Sequence, residues 1–173
     1  MDGYLLDTNT IRHWFDGDSG KFPAVRAVAD SRAADSPMYV SAISLGEIEY
    51  GHALNPAPAD TRRAAFVTFV REKLRQILSV SKHTAEPYGL IRAELAEKSP
   101  PPGGWKNKVR PEQMYDPVAG RELGIDENDL WLAAQAVERN LVLVTSDKMA
   151  RVREAVQEVF PSFRSENWAA SSR

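Results

Sequence analysis

The chain predicts an α/β fold: three layers, α/β/α, around a mostly parallel central sheet. Three observations lead there. Short apolar runs at 4–6, 38–42 and 141–144 are strand-length, and each leads directly into a segment that reads as a helix. Helix-length segments separate the runs, so successive strands must lie parallel and be covered on both faces. The first and last runs end abruptly in Asp7-Thr8-Asn9 and Thr145-Ser146-Asp147. Right-handed crossovers place all strand C-termini along one edge of such a sheet, and ligands bind in the crevice outside that edge.

Composition sets the outer bounds. A length of 173 residues suits one domain, read here as 1–173, with a core of useful size. Apolar and charged contents of 43% and 27% are those of an ordinary soluble protein. No apolar run approaches the roughly 18 residues of a membrane span, and the N-terminus does not read as a signal peptide. The absence of cysteine removes disulfides, thiolate metal sites and a Cys nucleophile and points to a cytoplasmic protein, and the lack of an apolar span points to no membrane partner. With 22 basic and 24 acidic residues the formal charge is −2, which argues against a generally basic nucleic-acid coat but leaves room for a local basic surface.

Each element has its own signal. After the first strand, Ile11, Trp14 and Phe15 form an apolar helical face, and 16–20 is a polar turn. Pro23 suits the first turn of a helix to about Arg32. The strand at 38–42 leads into a helix at 43–54, broken at 55–58. The clearest periodicity runs from 59 to 77, where Phe66, Phe69 or Val70, Leu74 and Ile77 recur at three and four, with Asp60 or Thr61 as cap and Arg62, Arg63, Arg71, Lys73 and Arg75 outside. A brief strand is expected at 78–80. Helix 84–98 tolerates Pro87 because it falls in the first turn. Residues 99–120, rich in Pro, Gly and Lys, read as one long loop. A helix opens at Glu127-Asn128-Asp129, the strand 141–144 follows, and Thr145-Ser146-Asp147 is expected to cap a last helix to about Gln157. The aromatic tail returns an edge strand.

The carboxylates carry the chemistry. Asp7 and Asp147 both sit immediately after strands. Asp129 stands in the first turn of a helix and Glu47 one turn into another, so helix starts beside strand ends can bring all four together. Two unit charges about 4 Å apart repel by roughly 4 kcal/mol at an effective dielectric near 20. A divalent cation cancels that repulsion, and all-oxygen ligation suits Mg²⁺ or Mn²⁺. Such an ion activates water and stabilises charge developing on a phosphodiester. Thr8, Asn9, Thr145 and Ser146 add hydroxyl and amide groups for water or phosphate oxygens. Against this stands the plainer reading: a single Asp at a helix start is commonly only a cap, Glu47 alone is a solvated helix residue, and Asp126 and Glu127 are first-turn acids favoured by the helix dipole. The joint pattern is the signal.

Four separated blocks resemble the signature segments of PIN-domain ribonucleases. They are Leu5-Leu6-Asp7-Thr8-Asn9, Val40-Ser41-Ala42-Ile43-Ser44-Leu45-Gly46-Glu47 with Tyr50-Gly51, Asn128-Asp129-Leu130-Trp131-Leu132-Ala133-Ala134, and Leu143-Val144-Thr145-Ser146-Asp147. The likeness is greatest to VapC-type toxins of bacterial toxin–antitoxin pairs, and Glu166-Asn167-Trp168 is similar to their usual ending. The resemblance implies a metal-dependent endoribonuclease whose quartet is Asp7, Glu47, Asp129 and Asp147, with Asn9 and Thr145 in support. It also implies an RNA substrate, a homodimer and a cognate antitoxin that blocks the pocket. The long segment 99–120 departs from the family's usual length.

Two rival readings fit less well. An aspartyl phosphatase of related fold needs Asp-x-Asp-x-Thr after the first strand; Asn9 takes the third place here and removes the acid/base. A PIN-like protein that binds RNA or a partner without cutting is the other, and the presence of all four acids speaks against it. His13, His52 and His83 share no ligand spacing and read as structural or surface residues. The basic face of Arg62, Arg63, Arg71, Lys73 and Arg75 is a solvated helix surface or a phosphate track. Trp105 is a loop anchor or a base-stacking platform; Trp14, Trp131 and Trp168 are core or dimer-interface residues.

Overall fold

A computed structural model describes residues 3–19, 22–54, 60–74, 76–100, 110–116, 118, 120–147 and 149–169. Five strands form an all-parallel sheet: β1 (Tyr4–Leu6), β2 (Met38–Ser41), β3 (Gln76–Leu78), β6 (Val142–Val144) and β7 (Arg164–Glu166). Their order is β3-β2-β1-β6-β7. The chain builds outward from β1 on one side, then returns to build on the other, so the direction of winding reverses between β1 and β6. Register is kept across the centre: Leu6 pairs with Val40 and with Val144, and Val144 with Glu166. The residues following β1 and β6 therefore emerge side by side, at the position where open α/β sheets bind ligands.

The described residues fall into two compact units. The first comprises those up to Val80, Leu141–Asp147 and those from Arg164 onward; the second comprises those in Ser81–Asn140 and 149–163. In the first unit the sheet is joined by α1 (Thr8–Phe15), α2 (Pro23–Asp35), α3 (Ala42–Leu54) and α4 (Asp60–Lys73). Its core gathers Tyr4, Leu6, Ile11, Trp14, Val40, Ile48, Phe66, Val70, Val144 and Trp168, all buried. Central-strand Leu5 and Leu6 are fully buried, as a near-continuous apolar strand in a parallel sheet requires. Trp14 meets Phe69 edge-on at 5.2 Å, and its indole N–H donates to Asp30 at 3.0 Å. Trp168 packs edge-on to Tyr4 at 5.4 Å and donates to Glu166 at 2.7 Å, so both tryptophans belong to the core, as expected.

The second unit holds α5 (Ala85–Lys98), α6 (Glu127–Glu138) and α7 (Ala150–Val159), which pack on one another. Asp126 caps α6 by accepting from the Asn128 N–H at 2.9 Å. Glu127 accepts from the Tyr88 hydroxyl and from Arg92, and Tyr88 stacks on Trp131 with ring centroids 3.7 Å apart. Burial raises the Glu138 carboxyl, but hydrogen bonds from Thr84 and Ser81 outweigh it and leave the group below its ordinary pKa.

Three expectations are corrected. The long periodic helix stops at Lys73 rather than at 77, and β3 occupies 76–78 where a strand was expected at 78–80. Ile77 pairs with Val40 across the ladder and is 58% exposed, so strand pairing overrode a helical spacing that Ile77 matched by accident. Second, Thr145, Ser146 and Asp147 do not cap the last helix, which begins at Ala150. Third, the described part of 99–120 is not featureless: a 3₁₀ turn (Pro111–Gln113) precedes β4 (Tyr115–Asp116), which pairs antiparallel with β5 (Arg121–Glu122). Residues 101–109, with Trp105, Lys106 and Lys108, lie outside the described residues, as does Arg75; Asp60 and Thr61, expected as caps, are instead the first two residues of α4. Among the described residues no helix is long and apolar enough to cross a membrane.

Candidate active site at the β1–β6 edge

Asp7 is held twice over. Its backbone N–H donates to Val144 O at 3.0 Å, bridging β1 to β6, and its carboxylate caps α1 by accepting from the Thr10 N–H at 2.6 Å. Thr10 in turn donates its hydroxyl to Val144 O at 3.2 Å. Thr10 carries no sequence signal of its own beyond its place three residues after a capping Asp. Asp7 is only 4% exposed, and that burial is the main reason its pKa is raised. Hydrogen bonds from Thr10 and Thr145 pull it back, and the charge of Asp147 adds to the rise.

Around Asp7, the predicted residues Asn9, Thr145 and Asp147 form one network, and Thr8 and Glu47 form a separate pair. Asn9 donates its side-chain amide to Asp147 at 3.0 Å, across 138 residues of sequence. The Asp147 N–H donates to the Thr145 hydroxyl oxygen at 3.0 Å, and Thr145 is buried, its own N–H on Glu166 O at 3.0 Å. This local turn explains why Asp147 is not a helix cap: its backbone is bound to Thr145 and its carboxylate to Asn9. The Thr8 hydroxyl donates to the Glu47 carboxylate, tying α1 to α3. Ser146 follows Thr145 and is half-buried. Asp129 lies in the second unit, half-buried in the first turn of α6, where its N–H donates to Asp126 O at 3.1 Å. His13 stacks on Phe22 at 3.6 Å and His83 is exposed, the structural and surface roles expected.

Among the described residues no group of three His, Asp or Glu stands preassembled as a metal shell. The donor chemistry nevertheless fits a hard cation. Asp7 and Asp147 repel each other, every side-chain donor in the network is oxygen or amide, and Mg²⁺ needs only one or two carboxylates because it retains waters.

The PIN-domain family model matches residues 4–155, and the chain belongs to that family. No curated protein matches it significantly. Among solved structures it is similar to VapBC2 from Rickettsia felis bound to a DNA fragment from its promoter, at 22% identity and TM-score 0.66, over 95% of this chain and 98% of that one. FitAB bound to an IR36 DNA fragment is similar at 22% identity and TM-score 0.62, over 95% and 94%. VapBC-1 from nontypeable Haemophilus influenzae follows at 20% identity and TM-score 0.59, over 95% and 97%. The expected PIN-like α/β class is thereby borne out.

Proposed function

We propose that this PIN-domain protein is a Mg²⁺- or Mn²⁺-dependent endoribonuclease, the VapC-type toxin of a toxin–antitoxin pair. One observation carries the reading: Asp7, Asn9, Thr145 and Asp147 share a hydrogen-bonded network at the sheet's winding reversal, with Thr8 fixing Glu47 beside it. Families with this domain are generally nucleases, and the structural neighbours are toxin–antitoxin complexes. Asp7 and Asp147 would hold the cation, with Glu47 and Asp129 as the remaining acids. When bound, the cation supplies water activation and charge stabilisation at phosphorus. Asn9 keeps the Asp147 carboxylate aimed, Thr145 does the same for Asp7, and Thr8 orients Glu47; Ser146 offers a hydroxyl beside them. A cognate antitoxin, a homodimer and a cytoplasmic location complete the proposal.

Sequencing RNA 5′ ends after induced expression tests it. New internal ends at defined positions are expected with the wild-type chain and not with Asp147→Asn. No new ends, or the same ends from both, would count against a nuclease and in favour of a non-catalytic RNA- or partner-binding protein.

A further inference from the structure

One helical turn along from the Thr8–Glu47 pair, and still within the first unit, α1, α3 and α4 line a cavity of about 470 Å³. That volume lies in the range of small-molecule and nucleotide pockets. Its rim carries three cations, Arg12, Arg62 and Arg63, against one acid, Asp16, and its wall is Ile48 with the rings of Phe15, Phe66 and His52. Phe15 meets Phe66 edge-on at 5.2 Å, and His52 meets Phe66 at 5.8 Å. Cations around an aromatic wall are complementary to a nucleotide, which has an anionic backbone and a flat apolar base.

The cavity's position follows from helix periodicity. Thr8 on α1 bonds Glu47 on α3; four residues on in each helix stand Arg12 and Gly51. Residues four apart share a helix face, so the Arg12–Gly51 level lies about 6 Å along from the Thr8–Glu47 level. That step is comparable with the spacing of adjacent phosphates on a single strand. Gly51 leaves room for the arginine: a Cβ there would stand 3.0 Å from Arg12 Nη2. Among the described residues Arg12 is exposed and carries no ion pair. Arg62 is paired with Asp16 at 2.6 Å and Arg63 with Glu49, with 69% and 51% of the arginine side chains exposed. Exposed pairs of this kind are weak, and each guanidinium keeps further N–H donors for a phosphate.

We propose that this cavity is a nucleotide subsite of the nuclease, in which Arg12, Arg62 and Arg63 hold the phosphate neighbouring the scissile one while its base lies against the partly exposed rings of Phe15 and His52. The inference rests on the nuclease reading above and names where its single-stranded RNA substrate would be gripped.

Binding separates the two claims. In an Asp7→Asn background, so that no RNA is cut, a short fluorescent single-stranded RNA is titrated at several salt concentrations. Adding Arg12→Gln should weaken binding about tenfold or more and flatten the slope of log K against log salt by about one, the signature of a lost phosphate contact. The thermal midpoint should not move, because Arg12 is exposed and supports no ion pair among the described residues. Unchanged affinity and slope in the double variant would overturn the subsite while leaving the nuclease reading intact. Arg12-dependent binding of poly-glutamate in place of RNA would overturn it in favour of an acidic polypeptide partner. Failure of the Asp7→Asn chain to bind RNA at all would remove the nuclease reading and the subsite together.

Discussion

Asp7→Asn is expected to abolish RNA cleavage while leaving the protein at least as stable as before. The loss should reach about a thousandfold, since charge stabilisation of several kcal/mol is at stake and each 1.36 kcal/mol is a factor of ten. The stability expectation comes from the same burial that defines the site. A carboxyl whose folded pKa lies above its ordinary value near 3.8 is destabilising when ionised. Its contribution is fully present below the unfolded value and is lost as pH rises through the raised folded value. Asparagine keeps the α1 cap, accepting from the Thr10 N–H as aspartate does, without a charge to desolvate and without repulsion from Asp147. Thermal melts across that pH window should show wild type losing stability with rising pH and the variant losing less. A variant that melts well below wild type at neutral pH would mean Asp7 is structural first.

Trp14→Ala should produce the largest loss of stability. Trp14 is 2% exposed, sits edge-on to Phe69 and donates to Asp30, which Arg26 and Lys73 also approach at 3.5 and 3.7 Å. Removing a buried tryptophan costs about 3–5 kcal/mol, and here it also takes a donor from Asp30. For a chain of this size that corresponds to a thermal midpoint lower by about 10 °C or more. Because α1 is capped by Asp7 and carries Thr8, Asn9 and Arg12, the variant should also lose activity in proportion to its unfolded fraction. A shift of only a degree or two would show that the α1–α2–α4 packing is not what anchors this helix.

How far the sequence could be read depended on whether local pattern and tertiary pairing agreed. At β1, β2 and β6 they agreed: short apolar runs ended in polar residues, and the strands lie where those runs fall. At Ile77 they did not, because an edge strand exposed on one side and a helical apolar stripe both tolerate an apolar residue at that spacing. Asp147 misled for a similar reason. It was expected both to cap the last helix and to serve the acidic site; the cap expectation failed because its carboxylate accepts from Asn9, 138 residues away. The residues joined around Asp7, namely Asn9, Thr145 and Asp147, were all marked in the sequence because each follows closely on a strand end. Thr10 and Arg12 were not, since one works through a carbonyl of β6 and the other through a cavity closed by α3 and α4.

Cleavage of a defined RNA by the purified chain, followed as metal is removed and restored, tests the central claim most directly. Internal cuts should stop on chelation and return with excess Mg²⁺ or Mn²⁺, and Asp7→Asn should restore nothing under either ion. Cuts that persist in chelator would contradict the metal-dependent site at the β1–β6 edge.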